Sequence, residues 1–121
     1  MYIGIGYTER RYKEVDKLSN LALTEAVYYI LLSLIEPLHG YGIMQNVEQL
    51  SNGRVKLAAG TLYGAINTLL EKGWITALSE EKGSRKKEYI ITNQGKEMLY
   101  SEITRLEELI ENGKRILEVQ T

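Results

Sequence analysis

At 121 residues, with 44% apolar and 26% charged side chains, the chain has the composition of one folded domain and is too short for two ordinary ones. The absence of cysteine excludes disulfide frameworks, zinc fingers and thiol chemistry, and the single histidine, His39, excludes histidine-cluster metal sites. The net charge of −1 is unevenly spread: residues 40–91 carry seven basic against five acidic side chains, and the segments on either side are net acidic. That central excess permits a nucleic-acid partner without demanding one.

Residues 1–20 are expected to form an N-terminal arm or a short helix, with Thr8 placed to cap Glu9 to Leu18. The first well-marked helix has Thr24 as its N-cap, with Leu23 and Tyr28 spaced for a hydrophobic staple. It should run to about Glu36, because Pro37 disfavours helical geometry in the residue before it. Val27, Tyr28, Ile30, Leu31, Leu32, Leu34 and Ile35 surround this helix, which suggests burial on two sides, the second by a partner subunit. Its apolar run, Ala26 to Leu32, is far below the roughly 18 residues that span a bilayer. With no signal-peptide pattern at the N-terminus, a cytoplasmic protein with no membrane partner is expected.

Leu38 to Gly42 reads as a turn, followed by a second helix with Ile43, Val47 and Leu50 as its stripe. Ser51-Asn52-Gly53 ends it, and Arg54 to Leu57 reads as a short extended link. A third helix is predicted from Ala59 to Lys72, buried along Leu62, Ile66 and Leu69. Gly73 is its expected stop, with Trp74 folding back on Leu69 as a core residue. Two strands follow, about Ile75 to Ser79 and Lys86 to Ile91, joined by a charged hairpin loop. Thr92 should cap a last helix running to about Glu118. Along it, Leu99, Ile103, Leu106, Ile110, Gly113 and Leu117 alternate at +4 and +3, a seam for packing along another helix.

The fold class is therefore mainly α with a small β-hairpin: a winged helix-turn-helix over residues 21–92 and a dimerisation helix over 93–121. A helix that enters the major groove needs a narrow, polar outer face. Opposite its buried stripe, the third helix offers Gly60, Tyr63, Gly64 and Asn67, with Thr61 near the N-terminus, where backbone amides favour phosphate. Tyr41 suits a phosphate contact or core packing equally. The wing carries Ser84, Arg85, Lys86 and Lys87, suited to phosphate or the minor groove. The expected DNA-binding set is Tyr41, Thr61, Tyr63, Gly64, Asn67, Ser84, Arg85, Lys86 and Lys87. The expected dimerisation set is Leu99, Ile103, Leu106, Ile110 and Leu117. His39 reads as a turn residue rather than a ligand.

Gly40-Tyr41-Gly42-Ile43, Gly60-Thr61-Leu62-Tyr63-Gly64-Ala65-Ile66, Glu71-Lys72-Gly73-Trp74-Ile75, Gly83-Ser84-Arg85-Lys86-Lys87-Glu88-Tyr89 and Thr92-Asn93-Gln94-Gly95 resemble the PadR pattern, from about Leu23 to Leu117. The resemblance implies a homodimeric transcriptional regulator, usually a repressor, that binds double-stranded DNA and dimerises through its last helix. The single C-terminal helix resembles the short subgroup, some members of which bind flat aromatic or cationic drugs at the dimer centre, so a small aromatic or hydrophobic effector is the ligand class this resemblance implies. The family usually has proline where Gly64 stands, basic residues at Asn67 and Thr68, and an aliphatic residue at Trp74.

No enzyme constellation is present. There is no nucleophile–base pair, and Glu80-Glu81 and Glu107-Glu108 are neighbours in sequence rather than convergent carboxylates. No catalytic residue, metal or cofactor is expected. The alternative reading is a winged-helix module that binds a protein or a small molecule without DNA.

Overall fold

The computed structural model describes residues 22–78 and 87–117. The expected N-terminal arm, the wing tip with Ser84, Arg85 and Lys86, and the end of the last helix at Glu118 lie outside them. The elements in chain order are α1 (Glu25–Ser33), β1 (Leu38–His39), α2 (Gly40–Leu50), α3 (Ala59–Lys72), β2 (Ile75–Ala77), β3 (Glu88–Ile91) and α4 (Asn93–Leu117).

Helix α1 starts where its cap predicts: the Val27 amide donates to Thr24 Oγ1 at 3.1 Å, an interaction of about 1 kcal/mol at such caps. Its end differs from expectation. The helix stops at Ser33, not near Glu36, and the Leu34 and Ile35 amides tighten onto Leu31 and Leu32 instead. The cause is tertiary. The Leu34 carbonyl accepts from the Ile91 amide at 2.8 Å, and the chain must turn there to lay down β1. Leu38 and His39, expected in a turn, pair antiparallel with Tyr89 and Glu88. The hairpin thus gains a third strand, in the order β1-β3-β2, with Ile75 facing Ile91 and Ala77 facing Tyr89 across the other edge.

Helix α2 begins at Gly40, inside the predicted turn, and buries Gly40, Ile43 and Val47. Leu50, expected to complete that stripe, is exposed. Ser51 is buried in its place, its hydroxyl donating to the Glu48 carbonyl and accepting from the Val55 amide. Asn52 and Gly53 then take left-handed φ values of 54° and 80°, so the predicted stop is a real reversal. Helix α3 has the predicted limits and the predicted buried face of Leu62, Ile66 and Leu69. Gly73 ends it at φ 77°; its amide donates to Leu70 and that of Trp74 to Leu69, the double bond of a Schellman ending.

The core is one cluster, including Ile30, Leu31 and Leu34 of α1 and its end, Ile43 and Val47 of α2, the α3 stripe, Trp74, Ile75, Tyr89, Ile91, and Met98 and Leu99 of α4. Each fully buried aliphatic side chain contributes about 1.5–3 kcal/mol. The first turn of α4 is locked onto the end of α3. Thr92 Oγ1 donates to the Gly73 carbonyl at 2.7 Å and accepts from the Gly95 amide at 3.1 Å, so the predicted cap also joins two helices. A Cβ on Gly95 would collide with the Trp74 carbonyl oxygen and stand 2.7 Å from Ile91 Cγ1. This glycine is required by close approach.

Candidate nucleic-acid interface

Burial of Leu62, Ile66 and Leu69 turns the opposite face of α3 outward. Gly60, Thr61, Tyr63, Gly64, Asn67 and Thr68 are all exposed on it. The four predicted α3 residues therefore share one accessible surface. Two details shape that surface. The Thr68 hydroxyl donates back to the Gly64 carbonyl at 3.2 Å, so it is engaged with its own helix. A Cβ built on Gly60 or Gly64 meets nothing within 4 Å, so packing among the described residues demands neither glycine.

Tyr63 is 44% exposed, and its phenol lies across the first turn of α2. A Cβ on Gly40 would overlap the Tyr63 hydroxyl and stand 2.7 Å from Cζ. Gly40 was not among the predicted site residues. The available sequence signal was the tyrosine one helix away from a glycine-rich helix start, which has meaning only once the two helices are packed. Tyr63 also borders Tyr89 of β3. Burial pushes the Tyr89 hydroxyl above its ordinary range, and the Tyr63 charge adds to this. Tyr63 thus stands where α2, α3 and the sheet meet. Tyr41, in the same first turn of α2, is 63% exposed, which removes the core-packing alternative.

His39 is half-buried at the end of β1, opposite Glu88, and precedes the first residue of α2. It is a strand and helix-start residue rather than part of a turn. Lys87 is exposed at the foot of β3. Among the other cations near α3, Arg54 is tied to Glu25 in the first turn of α1, with Nε at 3.1 Å from Oε2, and the pairing raises its pKa further. Lys72 lies over the Trp74 ring, 5.1 Å from its centroid. Lys56, which sequence reasoning did not single out, is exposed in the segment leading into α3. Among the described residues no group of His, Cys, Asp or Glu is arranged to hold a metal ion, and no helix is long and apolar enough to cross a membrane.

The predicted seam on α4 divides in two. Leu99 is 5% exposed and belongs to the chain's own core. Ile103 and Leu106 are half-buried, and Ile110 and Leu117 are 55% and 75% exposed, joined by Leu109 and Ile116. Between the halves, Glu102 is buried and held by Arg105 through Nε–Oε1 and Nη2–Oε2 bonds of 3.0 and 2.6 Å.

An outward polar helix following a shorter helix, with a three-stranded sheet beside it, is the winged helix-turn-helix of DNA-binding regulators. Residues 29–101 match the model of the transcriptional regulator PadR-like family, and the chain belongs to that family. The fold is shared with a PadR family regulator from Eggerthella lenta, at 23% identity and a TM-score of 0.65 over 97% of this chain and 100% of that one. It is also shared with Bacillus subtilis PadR in complex with operator DNA, at 23% identity and a TM-score of 0.53 over 63% of this chain and 44% of that one. In sequence the chain is 40% identical over 79 residues to an uncharacterised 37.1 kDa protein of a Streptomyces fradiae transposon. It spans 64% of its own length in that match but about a fifth of the relative (22%). The family consists of transcriptional regulators rather than enzymes.

Proposed function

We propose that the protein is a transcriptional repressor that binds a palindromic operator in double-stranded DNA as a homodimer in the cytoplasm. The observation that carries this reading is the exposed α3 face with Tyr63 braced on the start of α2, in a chain of the PadR-like family. Helix α3 enters the major groove. Tyr41 and the first turn of α2 meet phosphate, as do Lys56, Lys87 and the wing residues Ser84, Arg85 and Lys86. With a net charge of −1, affinity depends on where the cations sit rather than on their total.

The partner for dimerisation is a second copy, held along the exposed stripe from Ile103 to Leu117 on α4. Leu99 contributes from beneath, through its own core. Two-fold symmetry then sets two half-sites about one helical turn apart. Tyr28 and Tyr29, tilted against each other with ring centroids 5.8 Å apart, and the exposed Tyr100 supply aromatic faces for a small hydrophobic or aromatic effector. Such a ligand relieves repression by binding one dimer geometry better than the other.

Fluorescence anisotropy with duplex DNA from upstream of the protein's own gene, over a salt series, tests the reading. Affinity should fall steeply with salt and be weakened by Tyr63→Ala and Lys86→Ala. Absent binding, or binding indifferent to salt and to both substitutions, would overturn it.

A further inference from the structure

We infer that Asn67 reads an adenine in each half-site, from a helix that Gly60 and Gly64 allow to lie unusually deep in the groove. This rests on the operator-binding reading above and adds what the site recognises.

The inference begins with what the outer face of α3 can offer a base edge. Bidentate readout of guanine needs an arginine or lysine, and readout of adenine needs an asparagine or glutamine. Lys72 is the sole basic residue of α3, and it sits at the last helical position over Trp74. The Thr68 hydroxyl is bonded to its own helix, and the Tyr63 phenol is lodged against the start of α2. Glu71 presents a carboxylate, which the phosphates around the groove repel. Asn67 remains. Its side-chain amide is exposed, makes no hydrogen bond to another of the described residues, and carries a donor and an acceptor side by side.

Asparagine has a short arm, so it reads a base only if the helix backbone comes close. Gly60, Gly64 and Asn67 are spaced +4 and +3 and form one line on the helix surface. The first two positions of that line carry no side chain, and nothing among the described residues requires them to be bare. Side chains there would hold the helix away from the floor of the groove. Their absence lets the later turn, with Asn67, approach the bases.

The test uses the intact protein and selection from a randomised duplex library, followed by anisotropy on the selected duplex. Wild type should select a two-fold motif with one fixed A·T pair in each half-site. Asn67→Ala should keep the motif but lose preference at that pair, with affinity about tenfold weaker. Replacing that adenine with 7-deazaadenine, which lacks the N7 acceptor, should weaken wild type and leave Asn67→Ala unaffected. Gly64→Leu should weaken binding to every duplex without changing the motif. A selected motif whose preferences survive Asn67→Ala overturns the inference while leaving operator binding intact, and unchanged affinity in Gly64→Leu overturns the deep placement of α3. Failure of wild type to select any duplex overturns the operator reading itself, and the inference with it.

Discussion

The Tyr63 phenol fills the space in which a Cβ on Gly40 would stand, so the outer face of α3 and the first turn of α2 form one steric unit. The contact fixes the angle at which a half-exposed tyrosine leaves the protein. It also explains why α2 opens on a residue with no side chain, although His39 before it provides no side-chain cap.

Gly40→Ala should therefore act on DNA binding through Tyr63. The added methyl group meets the far end of a flexible ring, which can swing into solvent, so the change in stability should stay within about 1 kcal/mol. Operator affinity should fall about as far as in Tyr63→Ala, and the double variant should be no worse than either single one. Anisotropy on the four proteins of this cycle measures the coupling. Additive losses would mean that the ring's position at Gly40 does not matter for binding.

Glycines on this chain should respond to alanine with opposite signs. At Gly95 the new Cβ would meet the Trp74 carbonyl, a backbone atom fixed by its bond from the Thr92 amide at 2.9 Å. Gly95→Ala should cost about 3 kcal/mol, the upper end of ordinary overpacking. Gly64 has open space around it in mid-helix, and Gly64→Ala should stabilise by about 0.5–1 kcal/mol. Urea denaturation of both variants checks the pair. The same sign at both positions would contradict the packing described for α4.

Elements with strong local chemistry were legible in the sequence, and those set by distant contacts were not. The Thr24 cap, the limits of α3 and its Gly73–Trp74 ending follow from short-range rules and stand in the structure as read. Strand β1 was missed because two residues carry no period; their pairing depends on Tyr89 and Glu88, about fifty positions later. The early end of α1 has the same origin in the Ile91 bond to Leu34. Periodicity placed Leu50 inside and Leu99 on an outer seam. It can find an apolar face, but it cannot say where that face leaves the core. At the site, the outward α3 residues followed from the buried stripe, whereas the role of Gly40 needed the packing of two helices. The buried Glu102, paired to Arg105 one turn on, had no signature among the many exposed charges of α4.

Tyr89 should make stability fall in alkali. Burial, and secondarily the charge of Tyr63, raise its pKa in the folded chain, while the unfolded chain ionises near 10. Above that value the folded state holds the proton more firmly than the unfolded one, so its contribution is complete below pH about 10 and is lost as pH rises through the folded pKa. Tyr89→Phe removes this titration, and Tyr63→Phe removes the smaller of its causes. Stability measured from pH about 9 to 11 should decline less steeply in Tyr89→Phe than in wild type, with Tyr63→Phe in between. Parallel curves for wild type and Tyr89→Phe would show that the hydroxyl titrates normally.

The strongest dependence on quaternary structure should appear on the outer half of α4. Met98 and Leu99 anchor the helix in its own core, and the same stripe then continues as Ile103, Leu106, Leu109, Ile110, Ile116 and Leu117 with decreasing cover. Leaving several large apolar side chains in water forgoes about 1.5–3 kcal/mol for each one that could be fully buried, enough together to support association. Ile110→Glu places a charge in the middle of the stripe. It should yield a monomer by sedimentation at micromolar concentration, with the fold kept, because Ile110 is outside the core cluster. Glu111→Ala lies about 100° further round the helix and should remain dimeric. The monomeric variant should also bind an operator far more weakly than wild type, since each copy then engages one half-site alone. A monomeric wild type would refute the homodimer itself, and an Ile110→Glu variant that still sediments as a dimer would move the subunit contact away from α4.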